Sequence, residues 1–161
     1  MEERTKFICI IVVFIIKDID RNIKTMGLLK SRSVTVSINR DPRTVYEFIF
    51  NLENLPKWAS KAFQSIKQVK GEWIAETPQG LAKVGLAQRN DFGVLDHYVN
   101  LSSLGVEVYV PMRVVQNGIN GSEVIFTLFY TTDMSEEKFA QDVSMVEQDL
   151  KNLKNIMEER N

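Results

Sequence analysis

The sequence predicts an α+β domain in which a curled, seven-stranded antiparallel sheet wraps one long C-terminal helix. Three observations carry this expectation. From Ser135 to Arg160, the residues Phe139, Val143, Val146, Leu150, Leu153 and Met157 recur at alternating spacings of four and three, which is one apolar stripe on a long amphipathic helix. From Phe63 to Thr131 the chain breaks into short alternating segments separated by tight-turn residues, the pattern of an antiparallel meander. One further alternating segment, Ser33 to Ile38, precedes two short helical patterns, and a helix with one greasy side needs the broad apolar surface that such strands supply.

Each element has a local reason. In SVTVSI, Val34, Val36 and Ile38 face one way and Ser33, Thr35 and Ser37 the other, which is a half-buried strand. Asp41 is a suitable N-cap and Pro42 a suitable first residue for a helix that buries Val45, Phe48, Ile49 and Leu52. Glu53 to Lys61 reads as a second short helix carrying Trp58 and broken by Pro56. The meander strands are Phe63–Val69, Glu72–Glu76, Leu81–Arg89, Phe92–Leu101, Val106–Val115 and Glu123–Thr131. Lys70-Gly71, Thr77-Pro78-Gln79-Gly80, Asn90-Asp91, Ser102 to Gly105 and Asn117 to Gly121 turn the chain between them. Asp133 or Ser135 caps the last helix, and Glu136 and Glu137 place negative charge where the helix dipole favours it.

The composition narrows the function. The 161 residues are 44% hydrophobic and 25% charged, which suits one domain with a single core. A net charge of -1 argues against nucleic acid as a partner held by bulk electrostatics. One cysteine, Cys9, and one histidine, His97, leave no cysteine cluster or histidine-rich metal site, so no metal and no cofactor are expected. A cytoplasmic setting is the default for such a chain.

Residues 1–27 read as an extension to a domain spanning 28–161. Phe7 to Ile16, FICIIVVFII, is a continuous apolar run of about ten residues, too short for a helical membrane span of roughly twenty. Three readings stay open for it. Translation starts at Met26 and the stretch is not made; it is a membrane-associated or exported tail; or it is a β-branched segment that adds a strand or lies on an exposed apolar surface.

The order of segments carries a family resemblance. VTVSINRDPRTVYEFIFNLENLPKW, FGVLDHYV, VEVYVPMRVV and SEEKFAQDVSMVEQDLKNLKNIME together resemble the START-like, or SRPBCC, helix-grip fold, with FGVLDHYV and VEVYVPMRVV closest to an uncharacterised bacterial subgroup. That superfamily includes polyketide cyclase/dehydrase and lipid-transfer proteins. The resemblance implies a cavity between sheet and C-terminal helix, and it hosts binders and enzymes alike.

Several residues could line such a cavity. His97 shares a strand face with Gly93, Leu95, Val99 and Leu101, so it points inward, as a general base, as a hydrogen-bond partner for a ligand, or as a structural histidine bonded to a neighbouring strand. Asp96, next in sequence, faces the other way and cannot orient it on an extended strand. Arg113 shares the outward face with Glu107 and Tyr109, unless a bulge at Pro111 swings it inward to clamp a carboxylate or pair with Glu123. Trp58, Trp73, Tyr98, Tyr109, Phe126 and Tyr130 could surround a ring or an acyl chain, or form an ordinary core, and Met112 adds an adaptable surface. Asp142, Glu147 and Asp149 read as the solvated face of the last helix. No Gly-rich phosphate loop and no GxSxG is present. The leading expectation is binding of a hydrophobic or amphipathic small molecule, with His97, Arg113, Trp58, Trp73, Tyr109, Phe126 and Met112 as ligand contacts. The alternatives are a cyclase/dehydrase-type enzyme that uses His97, and a protein-interaction module without a ligand.

Overall fold

A computed structural model describes residues 27–131 and 134–159. The apolar run Phe7–Ile16, Cys9, Met26, and Asp133 as one of two expected helix caps lie outside the described residues.

The chain runs β1 (Ser31–Ile38), α1 (Pro42–Phe50), a 3-10 turn (Leu52–Asn54), α2 (Leu55–Trp58), β2 (Ser65–Val69), β3 (Glu72–Thr77), β4 (Gly80–Leu86), β5 (His97–Leu101), β6 (Val106–Val110), β7 (Met112–Asn117), β8 (Gly121–Phe129) and α3 (Glu136–Glu159). Asp41 caps α1, its carboxylate accepting the Thr44 N–H at 2.9 Å. The helix buries Val45, Phe48 and Ile49, with Tyr46 beside them. Pro56 does not break the second helix. It stands in the first turn of α2, where a missing N–H removes no helical bond. Ser135 caps α3 by accepting the Lys138 N–H at 3.1 Å.

Among the described residues the strands number eight, not seven, and form two antiparallel sheets, β1-β8-β7 and β2-β3-β4-β5-β6. The expected strand Val106–Val115 is divided by Pro111, which has no N–H to donate to a ladder. The Pro111 carbonyl accepts the Thr127 N–H at 3.0 Å, so the chain bends there without leaving that acceptor unpaired. The expected strand Phe92–Leu101 divides in the same way. Its second half is β5, while Gly93 to Leu95 bonds to β7: Leu95 N–H donates to the Met112 carbonyl and Val114 N–H to the Gly93 carbonyl, both at 2.9 Å. These two crossings join the sheets into one curled surface. Gly93 has φ of 70°, and a Cβ there would meet the Val114 carbonyl oxygen at 2.0 Å. Only glycine allows that approach.

Helix α3 packs over β1 and α2. Val146, Leu150, Leu153 and Met157 are buried, as the stripe predicts, but Phe139 and Val143 nearer the helix start are only half-buried. The C-terminal half is also held by polar bonds. Lys154 Nζ donates to the Ser37 carbonyl at 2.7 Å, Arg40 Nε to the Met157 carbonyl at 2.9 Å, and the Asn39 N–H to Glu158 Oε1 at 2.8 Å.

One expectation is corrected here. Asp149 is not on a solvated face but buried, at 4% exposure. α2 covers that flank of α3, with Asn152 Nδ2 donating to the Trp58 carbonyl at 3.5 Å one turn along. Asp149 Oδ1 and Trp58 Nε1 are both buried without a hydrogen-bond partner among the described residues. Burial pushes the Asp149 carboxyl up from 3.8 to about 6, against the pull of Lys61.

Two stability predictions follow from this packing. Gly93→Ala should destabilise the domain by about 2–4 kcal/mol, because the new methyl clashes with backbone at a left-handed position; chemical denaturation measures it, and an unchanged midpoint contradicts the close approach. For Asp149, the folded state holds between pH 4 and 6 a proton that the unfolded chain releases, so stability falls as pH rises through that window. The charged form bears a penalty of about 3 kcal/mol above it. Asp149→Asn should therefore gain about 1–3 kcal/mol at pH 7.5 and close to nothing at pH 4, read from denaturation curves at the two pH values.

Candidate functional site on the concave face

Strand register assembles the site. Trp73 of β3, Val84 of β4, Val99 of β5 and Val108 of β6 stand in one row across four strands. Leu86, His97 and Val110 form the next row, and Leu101 pairs with Val106 beyond the first. All point to the concave side, because alternation along each strand is unbroken from Ala82, Val84 and Val110, which are buried. Yet Val106 and Val108, on that same face, are 43% and 44% exposed. The concave face is covered toward α1 and open toward β6.

At the covered end lies a cleft of about 830 Å³. Phe50 and Leu52, at the end of α1 and in the turn after it, form one wall; Trp73, Val84 and Leu86 form the other. No residue of α3 lines it, so the volume lies between α1 and strands β3–β4, not between sheet and C-terminal helix as expected. The cause is the placement of α3, which spends its apolar stripe on β1 and α2. Glu47 and Arg89 rim the cleft. Arg89 lies 4.4 Å from the centroid of the Phe50 ring and donates to the Glu47 carboxylate at 2.5 Å, which holds that carboxyl below its ordinary range.

His97 sits between the cleft and the open valines. It pairs with Leu86 on one side and Val110 on the other, and meets Phe126 edge-on with ring centroids 6.0 Å apart. The ring is half-buried, and desolvation lowers its pKa against the opposing pull of the Leu95 carbonyl and the Asp96 charge. It is therefore neutral at pH 7. Nδ1 lies 3.0 Å from the Leu95 carbonyl, which can only accept, so Nδ1 carries the proton. Nε2 then keeps its lone pair, and no described residue donates to it.

The other expected site residues separate. Trp73 and Phe126 stand half-buried on the concave face with His97. Met112 is on that face too but wholly buried beneath it, and Trp58 is buried under α3. Tyr109 and Arg113 are on the opposite, convex face. Arg113 does not swing inward or reach Glu123; its guanidinium pairs with Asp96 and donates to the Met112 carbonyl at 2.8 Å. Asp96 also accepts the Tyr109 hydroxyl at 3.0 Å and the Met112 N–H at 2.9 Å. Partial burial works against its ionisation, but these three donors outweigh it and hold the carboxyl below the usual range. Tyr98 stacks on Tyr109 at 4.8 Å, also outside. Sequence reasoning missed Phe50, Leu86 and Arg89 as cleft residues. Leu86 stood in an expected strand, but only the register with Trp73 and His97 shows that it belongs here.

No family model matches the chain, and no curated protein matches it in sequence. Solved structures do match in shape. The protein XoxI from Bacillus cereus aligns over 80% of this chain and 96% of its own, with a TM-score of 0.65 at 18% identity. A START superfamily protein from Mycobacterium smegmatis aligns over 81% and 99%, with a TM-score of 0.61 at 10% identity. The fold is START-like. Ara h 8.0201 aligns over 81% of this chain and 98% of its own, with a TM-score of 0.57 at 11% identity. At these identities the likeness concerns fold, and the chemistry of the START-like domain has to be read from its own residues. Among the described residues no helix is long and apolar enough to cross a membrane.

Proposed function

We propose that this START-like domain binds a hydrophobic or amphipathic small molecule on its concave face. The body of the ligand lies on Trp73, Leu86 and Phe50, and its polar end meets His97. The observation that supports this best is the continuous apolar row from Trp73 to Val108, half-buried at Trp73, buried at Val84 and open at Val108, in register across four strands. Burial on it stabilises each ligand methylene by about 0.8 kcal/mol. A neutral imidazole whose free nitrogen is Nε2 accepts a hydrogen bond and offers no charge. It favours a hydroxyl over a carboxylate at the polar end. Shape neighbours that include a START superfamily protein agree with a ligand-binding fold.

Catalysis of the cyclase or dehydrase type is the competing reading, and one geometric fact weighs against it. A proton-moving histidine works best with a group that orients its second nitrogen. Here the partner is an uncharged backbone carbonyl, which orients the ring but does not stabilise an imidazolium as a carboxylate would, while the adjacent carboxylate of Asp96 is engaged by Tyr109, Met112 and Arg113 on the far side of the sheet.

The test is a fluorescence titration that follows tryptophan emission, to which Trp73 on the concave face and the buried Trp58 both contribute, with straight-chain alkanols and fatty carboxylates of equal length. Affinity for the alkanols should rise about fourfold per added methylene and exceed that for the carboxylates. His97→Ala should reduce the alkanol preference about fivefold, the worth of one net hydrogen bond, with only a small loss of stability. Affinity independent of chain length would remove the apolar row as the source of binding. A loss of several kcal/mol in stability with unchanged ligand preference would make His97 a structural residue.

A further inference from the structure

One wall of the cleft is lightly held. Helix α2 is a single turn of four residues, and the 3-10 turn directly before it lends Leu52 to the cleft. That turn is tied to α1, because Asn54 Nδ2 donates to the Phe48 carbonyl at 2.9 Å. Against α3 the hold is mostly apolar. Leu55, Trp58 and Ala59 join Leu150 and Leu153 in one core, while the bond from Asn152 to the Trp58 carbonyl is stretched to 3.5 Å. Into this joint α3 turns Asp149. Its Oδ1 and Trp58 Nε1, one from each helix, are buried without a partner among the described residues. An ionised carboxylate so enclosed is costly, and it regains its hydration once α2 leaves α3. A helix of one turn does not persist off its support, so leaving means melting.

We propose that Asp149 is the catch of a flap over the cleft: while its carboxyl is protonated, α2 and the turn before it stay closed, and when it ionises they open and let a ligand pass. The passage of ligand rests on the binding function proposed above; the opening of α2 does not. Lys61, three residues beyond α2, is the charged group that draws Asp149 toward ionisation. Lys57, on α2, is turned to Asn54 Oδ1 at 2.6 Å. On α3 the charged neighbours Glu147 and Lys151 are exposed. On β1 and β8, the strands beneath α3, the inward residues carry no charge except Arg32, which is exposed at the start of β1. Burial therefore governs the proton, and it raises the carboxyl from 3.8 to about 6. The closed form holds between pH 4 and 6 a proton that the open, hydrated form releases. Closure is strongest below pH 4 and weakens as pH rises through that window. The opening equilibrium should grow about tenfold from pH 5 to pH 7.5.

Hydrogen exchange of the full-length protein, followed by NMR and corrected for the intrinsic rate at each pH, reads this opening. The reporters are the Asn54 and Ala59 amides, which donate to the Asn51 and Leu55 carbonyls. They should open more often than the amides of β8, which is paired on both sides, and their opening should rise about tenfold from pH 5 to pH 7.5. Asp149→Asn should abolish the rise. The association rate of 1-octanol, read by stopped-flow tryptophan fluorescence, should climb by the same factor in the native chain; any change that Asp149→Asn retains belongs to His97. Opening at Asn54 and Ala59 that ignores pH, or that still responds to pH in Asp149→Asn, overturns the proposal. So does exchange of these two amides at the pace of β8, because Asp149 would then act only through global unfolding. Opening that follows pH while octanol enters at a constant rate overturns the gate. The expected opening with no octanol bound at either pH sustains the catch and overturns the ligand reading instead.

Discussion

The carboxylate of Asp96 gathers the Tyr109 hydroxyl, the Met112 N–H and the Arg113 guanidinium around the bend at Pro111, and the rest of the architecture depends on that bend. On one side of Pro111 the chain belongs to the five-stranded sheet; on the other it belongs to the three-stranded one. A straight strand would keep the surface flat. The break lets β6 diverge from β8 while Thr127 still satisfies the Pro111 carbonyl. The bend needs a carboxylate because it leaves a backbone N–H and a half-buried cation to be satisfied together, and one ionised group with two oxygens meets both. The same engagement removes Asp96 from any partnership with His97 across the sheet, so the structural demand and the chemistry of the concave face are linked through one residue.

The second consequence concerns α3. Its buried stripe has to lie on something, and the bend gives it β1 and α2 instead of the middle of the larger sheet. The helix is therefore fastened unevenly. Leu150, Leu153 and Met157 are wholly or almost wholly buried, and Arg40, Asn39 and Lys154 tie the end down. Phe139 and Val143 have only partial cover. Open apolar surface at Val106 and Val108 is the complement of that asymmetry. Isolated exposed valines are ordinary on a protein surface, but two on a concave face, continuous with a buried row, form a surface that gains free energy from any apolar body that fits it.

Much of this fold was legible in the sequence, because period carries it. The spacing of four and three placed α3, strict alternation placed β1, and Asp41-Pro42 marked the start of α1. Alternation along Val106–Val110 also put Tyr109 outside, beside Arg113, and on that count Tyr109 never belonged with the cavity aromatics. What stayed hidden has physical causes. A proline in a strand pattern marks an edge, a bulge or a bend, and the choice depends on what accepts or donates nearby, here Thr127 and Asp96, which lie 16 and 15 residues away in the chain. Asp149 looked solvated because a single stripe reveals one buried arc, and the second arc exists only once α2 is packed. The cleft required register: Leu86 is one apolar residue among many until pairing sets it beside His97, two positions along from Val84 and its neighbour Trp73.

His97 shows how far such a reading goes toward chemistry. A histidine on an apolar face is ambiguous while its partners are unknown. Once the Leu95 carbonyl occupies Nδ1 at 3.0 Å, the tautomer follows, because a carbonyl can only accept. Desolvation then keeps the ring neutral at pH 7, against the weaker pull of Asp96. Charge and donor capacity are both removed from the free nitrogen, and what remains is a single acceptor in an apolar wall. Such a group discriminates between ligands by what they lose on burial: a hydroxyl retains a hydrogen bond that a carboxylate, which has only acceptors to offer, does not. The hydroxyl preference proposed for the concave face thus rests on a main-chain oxygen two residues away.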